Sequence, residues 1–226
     1  MSTTRTLLID ADDTLWENNI YFERVAKEFI SELGKRSHKA ERVEQLLWEK
    51  EQHNIKTIGY GSKGFCTSLR NVTGELGVND LEAWIQEREH WIFHHPMELL
   101  IGVQKTVPLL HTANQLILMT KGQPEEQLPK LERSGLGEFF HATEVVPEKS
   151  VETYQQVIAK HHLAPSQTWM VGNSPRSDIN PALAAGLHAV YIPHPQTWRL
   201  EHQEIQSVNG RTLLTLDRFT ELREHF

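Results

Sequence analysis

The sequence predicts an α/β fold, a doubly wound and mostly parallel sheet that is interrupted by one helical insertion. Two observations lead to this prediction. From residue 98 onward, short apolar runs alternate with segments of helix length, whereas residues 16–97 carry apolar residues only at helical spacing. Alternating strands and helices are typical of a parallel sheet with helices on both faces.

The predicted elements can be placed in chain order. The unbroken apolar run Thr6–Ile9 fits a strand buried on both faces, and four helices follow, at residues 21–35, 39–53, 63–76 and 80–94. Further strands are predicted at 116–119, 143–146, 169–171 and 189–192, with 211–216 as another candidate. The first strand joins these later strands, because alone it could not be buried. The predicted domains are a Rossmann-like core, residues 1–15 and 98–226, and a helical insertion, residues 16–97.

Composition excludes several classes of protein. The net charge of −7 is spread along 226 residues without a basic block, so nucleic acid is not a predicted partner. The single cysteine, Cys66, excludes an internal disulfide framework and suits a reducing compartment. No apolar run reaches 18 residues, and the N-terminal apolar run is too short for a secretory signal. We therefore expect a cytoplasmic protein without a membrane partner.

Polar side chains follow four of the predicted strands. The segments are Asp10–Thr14, Thr120–Gly122, Pro147–Ser150 and Gly172–Asp178. In open parallel sheets, ligands bind beyond the carboxyl ends of the strands, where these loops meet. The sequence therefore predicts one site that combines carboxylates, a hydroxyl, an ammonium and an amide.

Three carboxylates, Asp10, Asp12 and Asp13, crowd into four positions after the first strand. Two unit charges about 5 Å apart repel by roughly 3 kcal/mol at an effective dielectric near 20, so a cation is expected among them. Asp10 and Asp12 share a face if the backbone stays extended, which suits attack at phosphorus by one and protonation of the departing oxygen by the other. Mg²⁺ and Lys149 would supply positive charge, and Thr120 a hydroxyl donor.

The acidic cluster has two other interpretations. Asp12 or Asp13 could cap a helix that starts near Trp16, but a cap needs one aspartate and leaves Asp10 unexplained. A calcium loop of the EF-hand type is excluded, because its required glycine falls on Leu15 and its terminal glutamate on Tyr21.

The four segments resemble the motifs of the haloacid dehalogenase-like hydrolase superfamily, in order and over essentially the whole chain. They are Asp-x-Asp-x-Thr at residue 10, Thr120, Lys149, and Gly-Asn-Ser-x-x-x-Asp ending at Asp178. The resemblance implies Asp10 as nucleophile and Asp12 as general acid and base. It implies that Thr120 and Lys149 hold the phosphoryl group, that Mg²⁺ is held by Asp10, Asp178 and the backbone carbonyl of Asp12, and that residues 16–97 form a C1-type cap.

Two positions depart from the family pattern. Asp13 stands where the family usually has glycine, so a side chain must fit there, with its charge facing solvent or the insertion. Asn173 stands where aspartate is usual; its oxygen can still ligate a metal, but one negative charge is lost. Relatives that cleave carbon–halogen bonds lack an acid at position 12, so the presence of Asp12 points to phosphate esters.

Further substrate contacts are predicted at Thr14 and Lys121, which lie on the strand-end segments, and in the insertion. The loop Gly59–Gly64 separates two predicted helices and has no strand before it, which makes it a poor dinucleotide fingerprint. It is either a turn between helices or a loop that selects the substrate through Tyr60 and Lys63.

The predicted function is a Mg²⁺-dependent phosphatase acting on a small phosphorylated metabolite through an aspartyl-phosphate. A phosphomutase on the same scaffold, or a non-catalytic protein that binds phosphate or a partner, remains an alternative. The predicted assembly is a monomer or a homodimer.

Overall fold

Six parallel strands form a single sheet in the order β3-β2-β1-β4-β5-β6. The structure is a computed structural model that describes residues 5–207 and 209–226. The strands are β1 Thr6–Ile9, β2 Gln115–Lys121, β3 Ala142–Val146, β4 Thr168–Gly172, β5 His188–Tyr191 and β6 Leu213–Thr215. The helices are α1 Asn19–Gly34, α2 Ala40–Thr57, α3 Ser62–Leu76, α4 Glu82–His94, α5 Val103–Ala113, α6 Pro124–Ser134, α7 Val151–Lys160 and α8 Asn180–Ala184.

The sheet is covered on both faces, as the apolar character of its central strands requires. In β1, Leu7 and Ile9 contribute to one core cluster, which includes residues of α5 and α6, while Leu8 contributes to another, which includes residues of α7 and α8. Because successive side chains of a strand point to opposite faces, a strand buried on both faces needs apolar residues at every position. The sheet therefore lies between two layers of helices.

The described chain divides into two compact units. One comprises Met1–Asn19 and Met97–Phe226, and contains the sheet; the other comprises Ile20–Pro96, and contains most of α1 together with α2, α3 and α4. The helical unit has its own core, in which Val25, Phe29 and Leu33 of α1 pack with residues of the other three helices. Their spacing of four residues places them on one face of α1.

The predicted fold class is confirmed, including the candidate sixth strand, which pairs in parallel with β5. One difference affects the site: β2 continues to Lys121, because Thr120 and Lys121 pair with Val145 and Val146 of β3. Thr120 and Lys121 therefore end the strand rather than follow it. The assignment of residues 16–97 as a C1-type cap stays a prediction. No helix among the described residues combines the length and apolar character needed to cross a bilayer.

Candidate active site

The carboxyl ends of β1 and β4, and the start of α7, bring two carboxylates and one ammonium together. The Nζ atom of Lys149 lies 2.5 Å from Oδ1 of Asp10 and 2.7 Å from Oδ1 of Asp178. Asp10 stays in line with the sheet, because its N–H donates to the carbonyl of Val171 in β4. All three charged side chains are buried. A buried ammonium is tolerated here because two carboxylates pair with it directly.

The charges of this cluster do not balance. Burial and the nearby Asp178 carboxylate raise the pKa of Asp10 to about 7, although Lys149 acts in the opposite direction. Burial alone would lower the pKa of Lys149, but Asp10 and Asp178 outweigh it and raise that pKa above its usual value. One ammonium therefore faces two carboxylates in a low-dielectric setting, and a further cation would relieve the excess negative charge.

Thr14 and Asn173 complete the oxygen-rich side of the site. Thr14 Oγ1 donates to Asp10 Oδ2 at 2.9 Å and approaches Asn173 Oδ1 at 3.3 Å. The amide nitrogen of Asn173 donates to the hydroxyl of Thr197 at 3.3 Å, which leaves its oxygen on the side of Thr14. Carboxylate and amide oxygens are hard ligands that suit Mg²⁺. The residues predicted to hold the metal thus fit such an ion in chemical type and in charge.

The loop after β4 fixes Asp178 through close packing. The backbone N–H of Ser174 donates to Asp178 Oδ2 at 2.9 Å, and residues Pro175–Ile179 form a single π-helical turn. A Cβ atom at Gly172 would lie 2.2 Å from Asp178 Oδ2. Glycine is therefore required at the end of β4, because any side chain there would displace the Asp178 carboxylate.

Asp12 faces a different set of partners from Asp10. Its Oδ1 accepts from Trp16 Nε1 at 2.7 Å, its Oδ2 accepts from Gln127 Nε2 at 2.9 Å, and Lys130 Nζ lies 3.1 and 3.2 Å from the two oxygens. The side chain of Asp12 keeps 22% exposure. Asp10 and Asp12 therefore lie at the same strand end, but each carboxylate is held by its own set of hydrogen-bond donors.

The Asp13 charge does not face solvent, and its partners Asn18 and Asn19 belong to residues 16–97, the predicted insertion. Asp13 is buried, and its carboxylate accepts from the backbone N–H groups of Asn18 and Asn19, where α1 begins. Its φ of 61° lies in the left-handed region, which explains why glycine would suit this position and why aspartate is tolerated. The capping interpretation thus holds for Asp13 alone, while Asp10 and Asp12 have other contacts.

The hydroxyl group of Thr120, a predicted site residue, is buried without a hydrogen bond to any described residue. An unpaired buried hydroxyl lowers the stability of the fold by on the order of 1–3 kcal/mol. A ligand that accepts a hydrogen bond from Thr120 would remove this cost.

Lys121 has contacts that the sequence did not indicate. Its Nζ lies 2.6 Å from Glu201 Oε1 and 2.8 Å from Ser177 Oγ. Glu201 Oε2 also accepts from Ser174 and Ser177, each at 2.5 Å. These contacts favour a structural function for Lys121 over the predicted contact with substrate.

Tyr60 and Lys63 belong to the helical unit. Tyr60 lies in the turn that joins α2 to α3, and Lys63 is exposed in the first turn of α3. The turn is tightly packed, since a Cβ atom at Gly64 would lie 2.4 Å from the carbonyl oxygen of Gly59. Their contact with substrate stays a prediction.

Sequence reasoning missed the partners of Asp12 and Lys121. Gln127 and Lys130 are three residues apart in α6 and share a face, and Glu201 lies in a short 3₁₀ turn, Arg199–Glu201. None of them follows a strand, so the rule that located the other residues does not apply to them. The sequence signal that could have found Gln127 and Lys130 is their position on the buried face of an amphipathic helix, where polar side chains are unusual.

A second cluster of side chains, Asp13, Glu17 and His194, also consists of residue types that bind metals. Side-chain atoms of Asp13, Glu17 and His194 lie within 4.8 Å of one another. The Asp13 carboxylate is already used by the start of α1, and His194 Nε2 lies 3.2 Å from Glu17 Oε2. We therefore place the candidate cation site at Asp10 and Asp178.

Comparison with known proteins agrees with this architecture. The chain is 26% identical to the phosphoserine phosphatase of Thermus thermophilus over 116 residues, which are 49% of this chain and 45% of the relative, so it spans about half the length of that protein. It is 27% identical to a haloacid dehalogenase-like hydrolase from Xanthomonas campestris, with 98% and 94% of the two chains covered and a TM-score of 0.83.

Two more distant structures share the fold alone. YfnB of Bacillus subtilis, a HAD-type hydrolase bound to magnesium, is 19% identical with 99% of both chains covered and a TM-score of 0.67. The L-2-haloacid dehalogenase of Xanthobacter autotrophicus is 13% identical with 98% of both chains covered and a TM-score of 0.66. The family model for haloacid dehalogenase-like hydrolases matches residues 4–186. The chain belongs to the haloacid dehalogenase-like hydrolases.

Proposed function

We propose that this hydrolase is a Mg²⁺-dependent phosphatase that acts on a small phosphorylated metabolite through an aspartyl-phosphate on Asp10. One observation carries the proposal: Lys149 holds Asp10 at 2.5 Å, while the buried Thr120 hydroxyl at the end of the neighbouring strand β2 has no partner among the residues that the structure describes. An anionic group with several acceptor oxygens would satisfy both the ammonium and the hydroxyl.

In the first step, an oxygen of Asp10 attacks phosphorus and the bond from phosphorus to the leaving oxygen breaks. Asp12 gives its proton to that departing oxygen. Lys149 and Thr120 donate to the oxygens of the transferred group, and Thr14, which donates to Asp10 Oδ2, keeps the nucleophile oriented. The result is an aspartyl-phosphate and a free alcohol.

In the second step, Asp12 acts as a base. It takes a proton from a water molecule, whose oxygen attacks phosphorus, and the bond between phosphorus and Asp10 breaks. Inorganic phosphate leaves, and Asp10 returns to its carboxylate form beside Lys149. Asp12 thus regains the proton that it lost in the first step.

The proposed ligands for Mg²⁺ are side-chain oxygens of Asp10, Asp178 and Asn173 with the backbone carbonyl of Asp12. The imbalance of two carboxylates against Lys149, and the pKa of Asp10 raised to about 7, support a cation at this place. When bound, the ion would offset the carboxylate repulsion and neutralise charge on the phosphoryl oxygens.

The presence of Asp12 favours phosphate esters over carbon–halogen compounds as substrates. Departure of halide needs no proton, whereas departure of an alkoxide does, so a supported acid at position 12 favours a phosphate ester. The distant relative named phosphoserine phosphatase agrees with this choice, although it shares only 26% identity. We further propose that residues 16–97 act as a cap that limits access of water during the first step. The cytoplasmic location and the monomeric or dimeric state remain predictions.

The test is release of inorganic phosphate from an aryl phosphate and from a panel of sugar, nucleotide and small-acid phosphates that includes phosphoserine. Each substrate is assayed with Mg²⁺ and with EDTA, beside Asp10→Asn and the control Asp217→Asn, an exposed aspartate on the same unit. We expect metal-dependent release that is lost in Asp10→Asn alone. Chloride release from 2-chloropropionate without phosphate release would contradict the proposal. Transfer of phosphate within a sugar without release would favour a phosphomutase, and inactivity toward every substrate a binding protein.

A further inference from the structure

Lys130 is a buried lysine that has no part in the proposed reaction steps. It lies in α6 with 6% of its side chain exposed, and its Nζ contacts both oxygens of Asp12 at 3.1 and 3.2 Å. It also donates to Asn18 Oδ1 at 2.8 Å. Burying an ammonium is costly unless it is paired, so these contacts account for its presence at this position.

The contacts of Asp12 leave little freedom to its side chain. A carboxylate has about four lone-pair sites on its two oxygens. Trp16 and Lys130 occupy Oδ1, while Oδ2 accepts from Gln127 and shares the Lys130 ammonium. Donors from two different parts of the chain, Trp16 and the α6 residues Gln127 and Lys130, therefore fix both the position and the rotation of the carboxylate.

Gln127 gives independent support for a functional arrangement. Its amide nitrogen donates to Asp12 and to the carbonyl of Lys121, but its buried Oε1 has no hydrogen-bond partner in the described residues. An apolar residue would avoid that unsatisfied oxygen, which costs on the order of 1–3 kcal/mol. The buried face of α6 thus carries two polar side chains, Gln127 and Lys130, where apolar residues would avoid an unsatisfied group. Both of these side chains contact Asp12.

We infer that Lys130 is a positioning residue for proton transfer by Asp12, an inference that rests on the proposed phosphatase function. The ammonium holds Asp12 by both oxygens, directly after the carboxyl end of β1 where Asp10 also lies. Without it, Asp12 keeps the donors Trp16 and Gln127 but gains rotational freedom, and the proton arrives less often in the productive geometry. Lys130 itself touches no reacting atom.

The experiment compares two substrates that differ in their need for a proton. An aryl phosphate with a nitro group releases a stabilised phenolate, whereas an alkyl phosphate releases an alkoxide that must be protonated. The kcat/KM value reports the step that expels the leaving group, and it is measured for both substrates in wild type, Lys130→Met and Lys130→Gln. Lys160→Met is the control, because Lys160 is exposed and pairs with Glu144 at the surface.

General acid catalysis contributes about 10²–10⁴-fold, so we expect Lys130→Met to lose at least about tenfold more kcat/KM on the alkyl than on the aryl phosphate. Lys130→Gln, which keeps an N–H donor, should show a smaller difference of the same sign. If Lys130→Met does not fold, as judged by thermal unfolding, Lys130→Gln carries the comparison. Equal losses on both substrates would show a structural role only and overturn the inference. A wild type inactive on both substrates would instead contradict the phosphatase proposal.

Discussion

The ammonium of Lys121 lies 2.6 Å from the carboxylate of Glu201, so residues 80 positions apart in the chain form a largely buried ion pair. Ser174 and Ser177, which lie between Asn173 and Asp178 in the candidate metal loop, donate to the same carboxylate. Although burial acts in the opposite direction, Lys121 and the two serines lower the pKa of Glu201 to about 2. Glu201 thus anchors the loop that carries Asn173 and Asp178.

Glu201→Gln should lower the free energy of unfolding by up to about 3 kcal/mol at pH 7, because each unit of pKa shift corresponds to about 1.4 kcal/mol. A carboxyl whose folded pKa is depressed stabilises the fold above its unfolded pKa and loses that contribution as pH falls toward the folded pKa. The difference between wild type and variant should therefore shrink from pH 4.5 toward pH 2. Urea unfolding across this range, with the exposed Glu224→Gln as control, measures it. A difference that stays constant with pH would contradict the assignment.

Gly172→Ala should perturb the metal loop, because the added Cβ would lie 2.2 Å from Asp178 Oδ2 and 2.7 Å from its Cβ. Overpacking of this kind typically costs about 1–3 kcal/mol. The matched control is Gly74→Ala in α3, where a Cβ meets no atom within 4 Å and should stabilise the helix by roughly 0.5–1 kcal/mol. Thermal unfolding and calorimetric titration with Mg²⁺ would show opposite stability changes, with weaker metal binding in Gly172→Ala alone. Unchanged metal binding in Gly172→Ala would contradict this packing argument.

Asp10→Asn should abolish turnover and yet stabilise the metal-free protein. Burial and Asp178 raise the pKa of Asp10 from 3.8 to about 7, so the folded state binds more protons than the unfolded state in that interval. The stability of wild type therefore falls as pH rises from about 4 to about 7, and the asparagine variant escapes this loss. The gap between variant and wild type should widen by a few kcal/mol at most over this range, measured by urea unfolding in EDTA. A gap that narrows with rising pH would refute the assigned direction.

Sequence alone can predict those positions that the topology of a parallel sheet dictates. Parallel strands present their carboxyl ends at one edge, so the order of elements alone predicts that Asp10, Thr120 and Asp178 lie at the same edge of the sheet. The apolar runs of the strands also predicted the sheet, because a strand buried on both faces cannot be anything but apolar. These inferences need the order of elements along the chain and no detail of side-chain packing.

The remaining contacts depend on details that no local pattern encodes. Lys130 and Glu201 meet their partners only after α6 and the 3₁₀ turn have packed against the strand ends, across separations of 118 and 80 residues. Asp13 shows the same limit on a smaller scale. Its carboxylate accepts from the backbone N–H groups of Asn18 and Asn19, and its φ is 61°. The sequence offered a helix cap, solvent and the insertion as surroundings for this side chain and gave no means to choose among them.

Thr120→Val removes a buried hydroxyl that has no partner in the described structure, while it keeps the shape of the side chain. Because the unsatisfied group costs free energy in the resting protein, the variant should be as stable as wild type or more stable by about 1 kcal/mol. The same hydroxyl is proposed to donate to a phosphoryl oxygen, where one such donor contributes about 10²–10³-fold to turnover. Thermal unfolding should therefore show equal or higher stability, while the rate of phosphate release falls.

Thr168→Val is the control, since its hydroxyl donates to the carbonyl of Ala164 and its loss should destabilise the fold without a specific effect on turnover. A Thr120→Val protein with full activity would remove Thr120 from the proposed phosphoryl site.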